Sequence, residues 1–488
     1  MPEAGSLAAQ PVAHEDVFSA FREAFSRPPE QLRQIAHIKR FLERFQGDDV
    51  YRGAVLAGVM SLEEAAAACG CELDLTSLQP VFNIEFSAHR SSATADDWPL
   101  TALWDEHLHG LLGLRDKIRE IGDTAGADPA FDQWRRRQIN RTAFELGAHS
   151  QGIVHPPVTF ELSSGCSVGC WFCGISAAKF GGNFSVQGAG RDEWEQTLRA
   201  VQSVLGPGLK TGFCYWATEP LDNPEYADFL DVYEEVVGVL PQTTSAIPLR
   251  NKELTRAVLA RWERSKSFPN RFSVLTTKIL LQIHQEFTPE ELLGVELVLQ
   301  NKGSPAPKSG AGRAYQGRSV QAEGPVQHKN GTIVNGTIAC VTGFLINIVE
   351  RRVRLISPTA PCDEWPDGYI VFDDARYDRP ENLAATMKEM IARNMGSKID
   401  PHAPIRFGQH IDFFDDERGV GVESAHVKVE TGLLDVIGRM INDGDKSPLQ
   451  IVQLASREGV DPFQVVGVIT DARRAGLIES VPLQGEKT

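Results

Sequence analysis

Basic residues are in deficit, long apolar runs are missing and cysteines are few. The chain carries 49 Lys+Arg against 65 Asp+Glu, a formal net charge of −16. A polyanion binder needs a basic footprint, so this balance argues against nucleic acid as a partner. The longest near-apolar run, residues 338–349, is interrupted by Thr342, Gly343 and Asn347. It falls far short of the ~18–20 residues a membrane helix requires. Met1-Pro2-Glu3-Ala4 has neither the basic n-region nor the apolar h-region of a secretory signal. A cytoplasmic protein without a membrane partner is expected. Its eight cysteines, at 69, 71, 166, 170, 173, 214, 340 and 362, are too sparse for a disulfide scaffold. In a reducing compartment a cluster of them reads as metal-binding or catalytic.

What is present is an ordinary globular composition, and 488 residues allow roughly two to four domains. Residues 1–14 read as a loose tail. Val17, Phe18, Phe21 and Phe25, then Leu32, Ile35, Ile38, Phe41, Leu42 and Phe45, recur at helical spacing, with Pro28-Pro29 breaking the run. Leu100 to Ile121 repeats the pattern, so 1–150 is expected to be mainly helical. After Pro156-Pro157 short strand-like runs follow at 158–162, 212–216, 243–247, 271–275, 295–300, 337–349 and 353–356. Helical segments at 194–205 and 226–240 lie between the early ones. This pace indicates βα units, a parallel sheet and a partial or full barrel over 151–375, with chemistry at the C-terminal strand ends. Residues 301–336, rich in Gly and Pro and carrying Lys308, Arg313 and Arg318, read as a flexible loop or a basic lid. Residues 376–424 read as a connector, and 425–488 as three short helices and a strand, a winged-helix-like module. That module holds seven Lys/Arg and nine Asp/Glu and suits peptide better than DNA. Arg135-Arg136-Arg137 and Arg141 are expected on a solvated helix face.

The chemistry centres on Ser164-Gly-Cys166-Ser-Val-Gly-Cys170-Trp-Phe-Cys173-Gly, directly after the first strand. Three cysteines at spacings of 4 and 3 positions can turn inward from one loop. A closed zinc site or an ordinary cubane takes four ligands, so three thiolates on a four-iron cluster leave one iron open. The alternative is a structural zinc site completed by His155 or another cysteine.

Cys-x3-Cys-x2-Cys with Phe172 before the last cysteine resembles the signature of the radical S-adenosylmethionine enzymes. The resemblance implies one 4Fe-4S cluster on Cys166, Cys170 and Cys173, with S-adenosylmethionine on the open iron. It also implies a glycine-rich acidic stretch that holds the cofactor's amino group. Here Ala217 and Thr218 stand where that family has glycines, while Glu219-Pro220 is kept. Phe172, Ala217, Thr218, Glu219, Thr244, Ser245 and Ser273 are the implied cofactor contacts. The cysteines after Cys173 are too widely spaced for a second cluster.

The wider layout, through Ile35–Gly47, Trp171-Phe172 and the Cys362 loop, resembles the proteusin-type peptide epimerases. That resemblance implies abstraction of an α-hydrogen from an L-residue of a ribosomally made precursor peptide. Cys362 would return hydrogen from the opposite face, with Cys340 as the other candidate donor. A leader-bearing precursor and a one-electron reductant are the implied partners. Thioether, cyclopropane or carbon–carbon crosslink formation is the nearest alternative, and a non-catalytic, zinc-stabilised peptide-binding protein is the distant one.

Overall fold

The computed structural model describes residues 22–23, 25–123, 128–316, 326–328, 331–396, 399–417, 419–424, 427–430 and 435–480. The tail 1–14, Val17, Phe18 and Phe21, the insertion residues Gly317, Arg318 and Gly324, and Leu433 and Leu434 lie outside the described residues.

Up to residue 152 the described chain is helical, with no strand. Pro29 opens α1 (Pro29–Gly47), where its missing N–H is harmless and its fixed φ suits the helix. Ile35, Ile38, Phe41, Leu42 and Phe45 form its buried stripe. Most of that stripe packs against α2 (Asp49–Leu56) and α3 (Leu62–Cys69), the latter started by a Ser61–Glu64 capping box. Two longer helices follow, α4 (Pro99–Asp123) and α5 (Pro129–Leu146).

The expected alternation then appears in part. β1 (Val158–Glu161), α6 (Ala189–Leu205), α7 (Tyr226–Val237), β2 (Thr244–Ser245), α8 (Lys252–Ser265), β3 (Asn270–Val274), α9 (Thr277–Glu286) and β4 (Val295–Leu299) succeed one another. β2, β3 and β4 pair in parallel. Residues 212–216 form no ladder; Phe213 alone bridges Thr159, in parallel.

Beyond this point the expectation of a continuing parallel sheet fails. β5 (Lys308–Ser309) and β6 (Gly331–Val334) pair in parallel within the insertion. β7 (Gly343–Asn347) lies parallel to β1, but β8 (Arg352–Pro358) and β9 (Tyr369–Arg376) complete an antiparallel meander. Residues 348–351 are too short for a crossover, so β7 and β8 can only run antiparallel. The described residues therefore form an open four-stranded sheet and a separate three-stranded parallel one, with no closed barrel. The expected strand at 337–349 starts only at Gly343. Ala339 and Val341 instead fill the space between Phe213, Trp216, Leu345 and Ile356.

After α10 (Pro380–Asn394) come β10 (Ile405–Phe407), β11 (Asp412–Asp416), β12 (Gly419–Glu423), β13 (Lys428–Glu430), α11 (Asp435–Asn442), α12 (Pro448–Arg457), α13 (Pro462–Arg474) and β14 (Ile478–Ser480). β14 pairs back onto β10. Ile405, Phe407 and Val422 thus share one core with Ile437, Ile451 and Ile469, so the stretch read as a connector supplies part of the module. Among the described residues no helix is long and apolar enough to cross a membrane.

Arg135 and Arg141 do not lie on a solvated face. Arg135, 1% exposed, donates to the carbonyls of Thr342 and His155. Arg141 donates to both Glu145 oxygens at 2.8 Å and to Pro358 O at 2.7 Å, while Thr359 Oγ1 donates to Glu145 at 2.7 Å. The pair anchors the root of the loop that carries Cys362. Glu145→Ala strands a buried guanidinium, and the expected loss is about 3–5 kcal/mol, measurable by urea unfolding.

Candidate metal centre

The cysteine loop leaves the C-terminal end of β1 and returns through Gly182–Asn183, which pairs with Ser163–Ser164. Its path is set by main-chain bonds. Cys166 N–H donates to Ala178 O at 2.9 Å, and Ser176 N–H donates to Cys173 O at 3.2 Å. Gly165 is left-handed at φ 70°, and a Cβ there would overlap Lys179 O. Three outside side chains clamp the loop. Asp222 accepts from Ser167 N–H at 2.9 Å and Oγ at 2.5 Å, with Arg250 Nη1 2.8 Å from the same carboxylate. Arg313 donates its N–H to Cys173 O at 2.9 Å, Nη1 to Cys170 O at 2.8 Å and Nη2 to Ala177 O. Sequence reading missed Asp222 and Arg250, and it placed Arg313 only in a flexible loop or lid.

All three thiols are half-buried. Burial, then the neighbouring Cys173 and Cys166, push the Cys170 thiol up to about 11. Cys166 and Cys173 thus both lie close enough to act on the Cys170 thiol, where a bound cation would instead favour the thiolate. Among the described residues no three His, Cys, Asp or Glu side chains converge as a single metal ion requires. A donor set of three thiols from one loop does fit a four-iron cluster, whose ligands sit on separate irons. His155, the other candidate ligand, precedes the N-terminal end of β1. Its Nδ1 is 2.8 Å from Thr342 Oγ1, and burial beside Arg135 lowers its pKa to about 3.

The implied cofactor contacts fall into two groups. Phe172 sits in the cysteine loop, half-buried. Glu219 is buried, its Oε1 accepting from Leu221 N–H at 3.1 Å and its Oε2 from Ala246 N–H at 2.7 Å. It ties the turn after Phe213 to the end of β2. Ala217 N–H donates to Glu161 Oε1 at 2.9 Å, and Thr218 is half-buried beside it. Ser245 Oγ accepts from Ile247 N–H at 3.1 Å; Thr244 and Ser273 are half-buried on β2 and β3. Glu161 itself was missed. An acid inside the apolar strand Val158–Leu162, next to the cysteines, was its signal. Asn347 Nδ2 lies 3.0 Å and Arg354 3.8 Å from it.

Burial raises the Glu219 pKa to about 7 against an ordinary 4.5. The folded state therefore binds the proton more tightly than the unfolded chain. Stability from this group is complete below pH ~4.5 and lost as pH rises through ~7, by about 3 kcal/mol. Denaturant unfolding of the metal-free protein between pH 4.5 and 8 is expected to show that fall, reduced in Glu219→Gln.

Cys362 follows β8, but β8 is antiparallel to β7. Its C-terminal end therefore lies at the end of the sheet opposite the cysteine loop, contrary to the barrel-mouth expectation. The two loops are nonetheless bridged by one strap. Gly312 N–H donates to Pro366 O at 2.6 Å, and the next N–H, of Arg313, donates to Cys173 O. Gly312 is left-handed at φ 62°, and a Cβ would overlap Cys173 O, so only glycine permits this approach. The half-buried Cys362 sits in a turn, its Sγ accepting from Trp365 N–H at 3.4 Å.

No protein-family model matches the chain, and no solved structure matches it. Over 468 residues it is 38% identical to the uncharacterized protein y4wI of Sinorhizobium fredii (strain NBRC 101917 / NGR234), covering 94% of this chain and 90% of that protein. The chain belongs to the family of y4wI. In this member Cys340 lies not within a strand but in the coil before β7. Its thiol lines a cavity of about 680 Å³ between α1, α4 and the N-terminal ends of β1, β3 and β4. Burial pushes that thiol up to about 12. Cys69 and Cys71 lie in the core of α1–α3, and Cys214 is buried in the main core.

Proposed function

We propose that this y4wI-family protein is a radical S-adenosylmethionine enzyme that converts residues of a ribosomally made precursor peptide from L to D. The observation that carries the reading is the strap at Gly312 and Arg313, whose consecutive N–H groups hold the Cys362 loop against the cysteine loop. Cys166, Cys170 and Cys173 would hold the cluster, and Phe172, Ala217, Thr218, Glu219, Thr244, Ser245 and Ser273 would surround the cofactor. When bound, the cluster and S-adenosylmethionine would supply the radical chemistry needed to remove a hydrogen atom from Cα.

The chain's own part follows from its thiols. The Cα radical is planar, and Cys362 gives it a hydrogen atom from the face opposite the abstraction. The S–H bond breaks, a C–H bond forms, and the resulting thiyl is returned to thiol by an external one-electron reductant and a proton. Cys340, which lines the cavity at the N-terminal ends of β1, β3 and β4, would be the other candidate donor. Residues 425–488 would seat the leader.

Anaerobic turnover with the precursor in deuterated water tests this. Epimerisation adds one deuterium per inverted residue; crosslink or cyclopropane formation removes two hydrogens instead. A product two mass units lighter contradicts epimerisation while leaving the radical chemistry standing.

A further inference from the structure

The cavity of about 680 Å³ that Cys340 lines has the size of a small-ligand site. Phe25, Leu42, Leu108, Leu111 and Phe268 give it an apolar wall. Its other wall includes the bare face of a parallel sheet. Thr244, Arg271 and Glu296 are paired in register across β2, β3 and β4, so they lie in one row on one face. Parallel sheets are ordinarily covered on both sides. Here Arg271 and Glu296 line the cavity and keep 45% and 60% of their side-chain surface accessible. Among the described residues the Arg271 guanidinium makes one hydrogen bond, Nε–H to Glu296 Oε2 at 2.8 Å, which leaves both Nη groups to donate and Oε1 to accept. Each cation of the lining has a carboxylate: Arg271 has Glu296 at 2.8 Å, Lys39 has Glu43 at 2.6 Å and Arg115 has Asp116 at 3.9 Å. Burial lowers His107, also in the lining, to about 4, so it is neutral near pH 7. A charged ligand would find no unbalanced partner. A peptide main chain, with one N–H and one C=O per residue, fits such a donor–acceptor pair.

We propose that the cavity receives a large apolar side chain of the precursor peptide, of the leucine or phenylalanine class, while Arg271 and Glu296 hold the main chain beside it. The inference rests on the peptide-modifying function proposed above and names the kind of residue that site would select. Ser273, a proposed cofactor contact, lies two residues beyond Arg271 on the same face of β3, and Thr244 lies beside Arg271 on β2. The cavity and these contacts therefore share one continuous surface. Burying one large apolar side chain is the interaction that would discriminate among residues, since the main chain is common to all of them.

The test measures binding of capped tripeptides, acetyl-Gly-Xaa-Gly-amide with Leu, Phe, Asn or Asp as Xaa, to the full-length, anaerobically reconstituted protein by ligand-observed NMR. The Leu and Phe peptides are expected to bind about tenfold or more tightly than the Asn and Asp peptides, the scale of one buried apolar side chain. Leu108→Trp fills the cavity and is expected to erase that preference. Leu108→Ala enlarges the cavity and is expected to shift the preference from Leu toward Phe. Arg271→Met combined with Glu296→Met is expected to weaken every peptide several-fold and leave their order intact. Equal binding of all the peptides by wild type, or a preference for Asp, would overturn the inference. Folded Leu108 variants that keep the wild-type preference would overturn it too, by moving the ligand elsewhere. The expected peptide preference in a protein that holds iron yet forms no 5′-deoxyadenosine would instead overturn the functional reading beneath it and leave the cavity's ligand standing.

Discussion

Cys170→Ala is expected to give a folded, colourless protein that cleaves no S-adenosylmethionine. The loop keeps its path without this thiol, because Asp222 holds Ser167 and Arg313 holds the carbonyls of Cys170, Cys173 and Ala177. Cys170 Sγ is half-buried, so truncation removes little packing, and a stability change within about 1 kcal/mol is expected for the metal-free protein. The effect on the cluster is of another order. With three protein ligands, losing one leaves two, too few to retain a cubane. Iron content and visible absorbance after reconstitution, beside thermal unfolding of the metal-free form, separate loss of metal from loss of fold. A brown, iron-replete Cys170→Ala protein would remove Cys170 from the ligand set.

Cys362→Ala separates the two halves of the proposed reaction. Cofactor cleavage is expected to continue, since Cys362 belongs to a different loop from the cluster ligands. Formation of the D-residue is expected to fall by about 10²-fold or more, the scale on which a positioned hydrogen-transferring group is felt. The fold should tolerate the change, because the turn keeps the main-chain bond from Cys362 N–H to Trp365 O at 3.3 Å. Chiral analysis of the hydrolysed peptide, run beside a deoxyadenosine assay, measures both. Full epimerisation by Cys362→Ala would end the assignment, and Cys340→Ala would then be tested.

The helical spacing of Ile35 to Phe45 and the alternation from β1 to β4 were legible because periodicity reports the buried face of each element. The meander β7–β8–β9 was not, because an apolar strand looks alike in parallel and antiparallel company. Only the short link at 348–351 distinguishes them, and its first two residues, Ile348 and Val349, read as a continuation of the apolar run. Residues 337–342 show the same limit: Ala339 and Val341 are buried as strand residues would be, yet they belong to no strand. Arg135 and Arg141 of α5 were misplaced for a related reason, since charge suggests solvent until a partner such as Glu145 or a carbonyl such as Thr342 O is seen, whereas Arg136 is exposed as expected. At the site, the cysteine triplet was plain from its spacing. The groups that hold it, Asp222, Arg250 and Arg313, come from 49 or more positions beyond the last of those cysteines, and no local pattern marks them.

The central claim is a radical cluster on Cys166, Cys170 and Cys173. Its most direct test is iron analysis of the anaerobically reconstituted protein, coupled to reduction with dithionite in the presence of S-adenosylmethionine. About four irons per chain and formation of 5′-deoxyadenosine are the predicted result. A colourless protein holding zinc, with S-adenosylmethionine left intact, would contradict it.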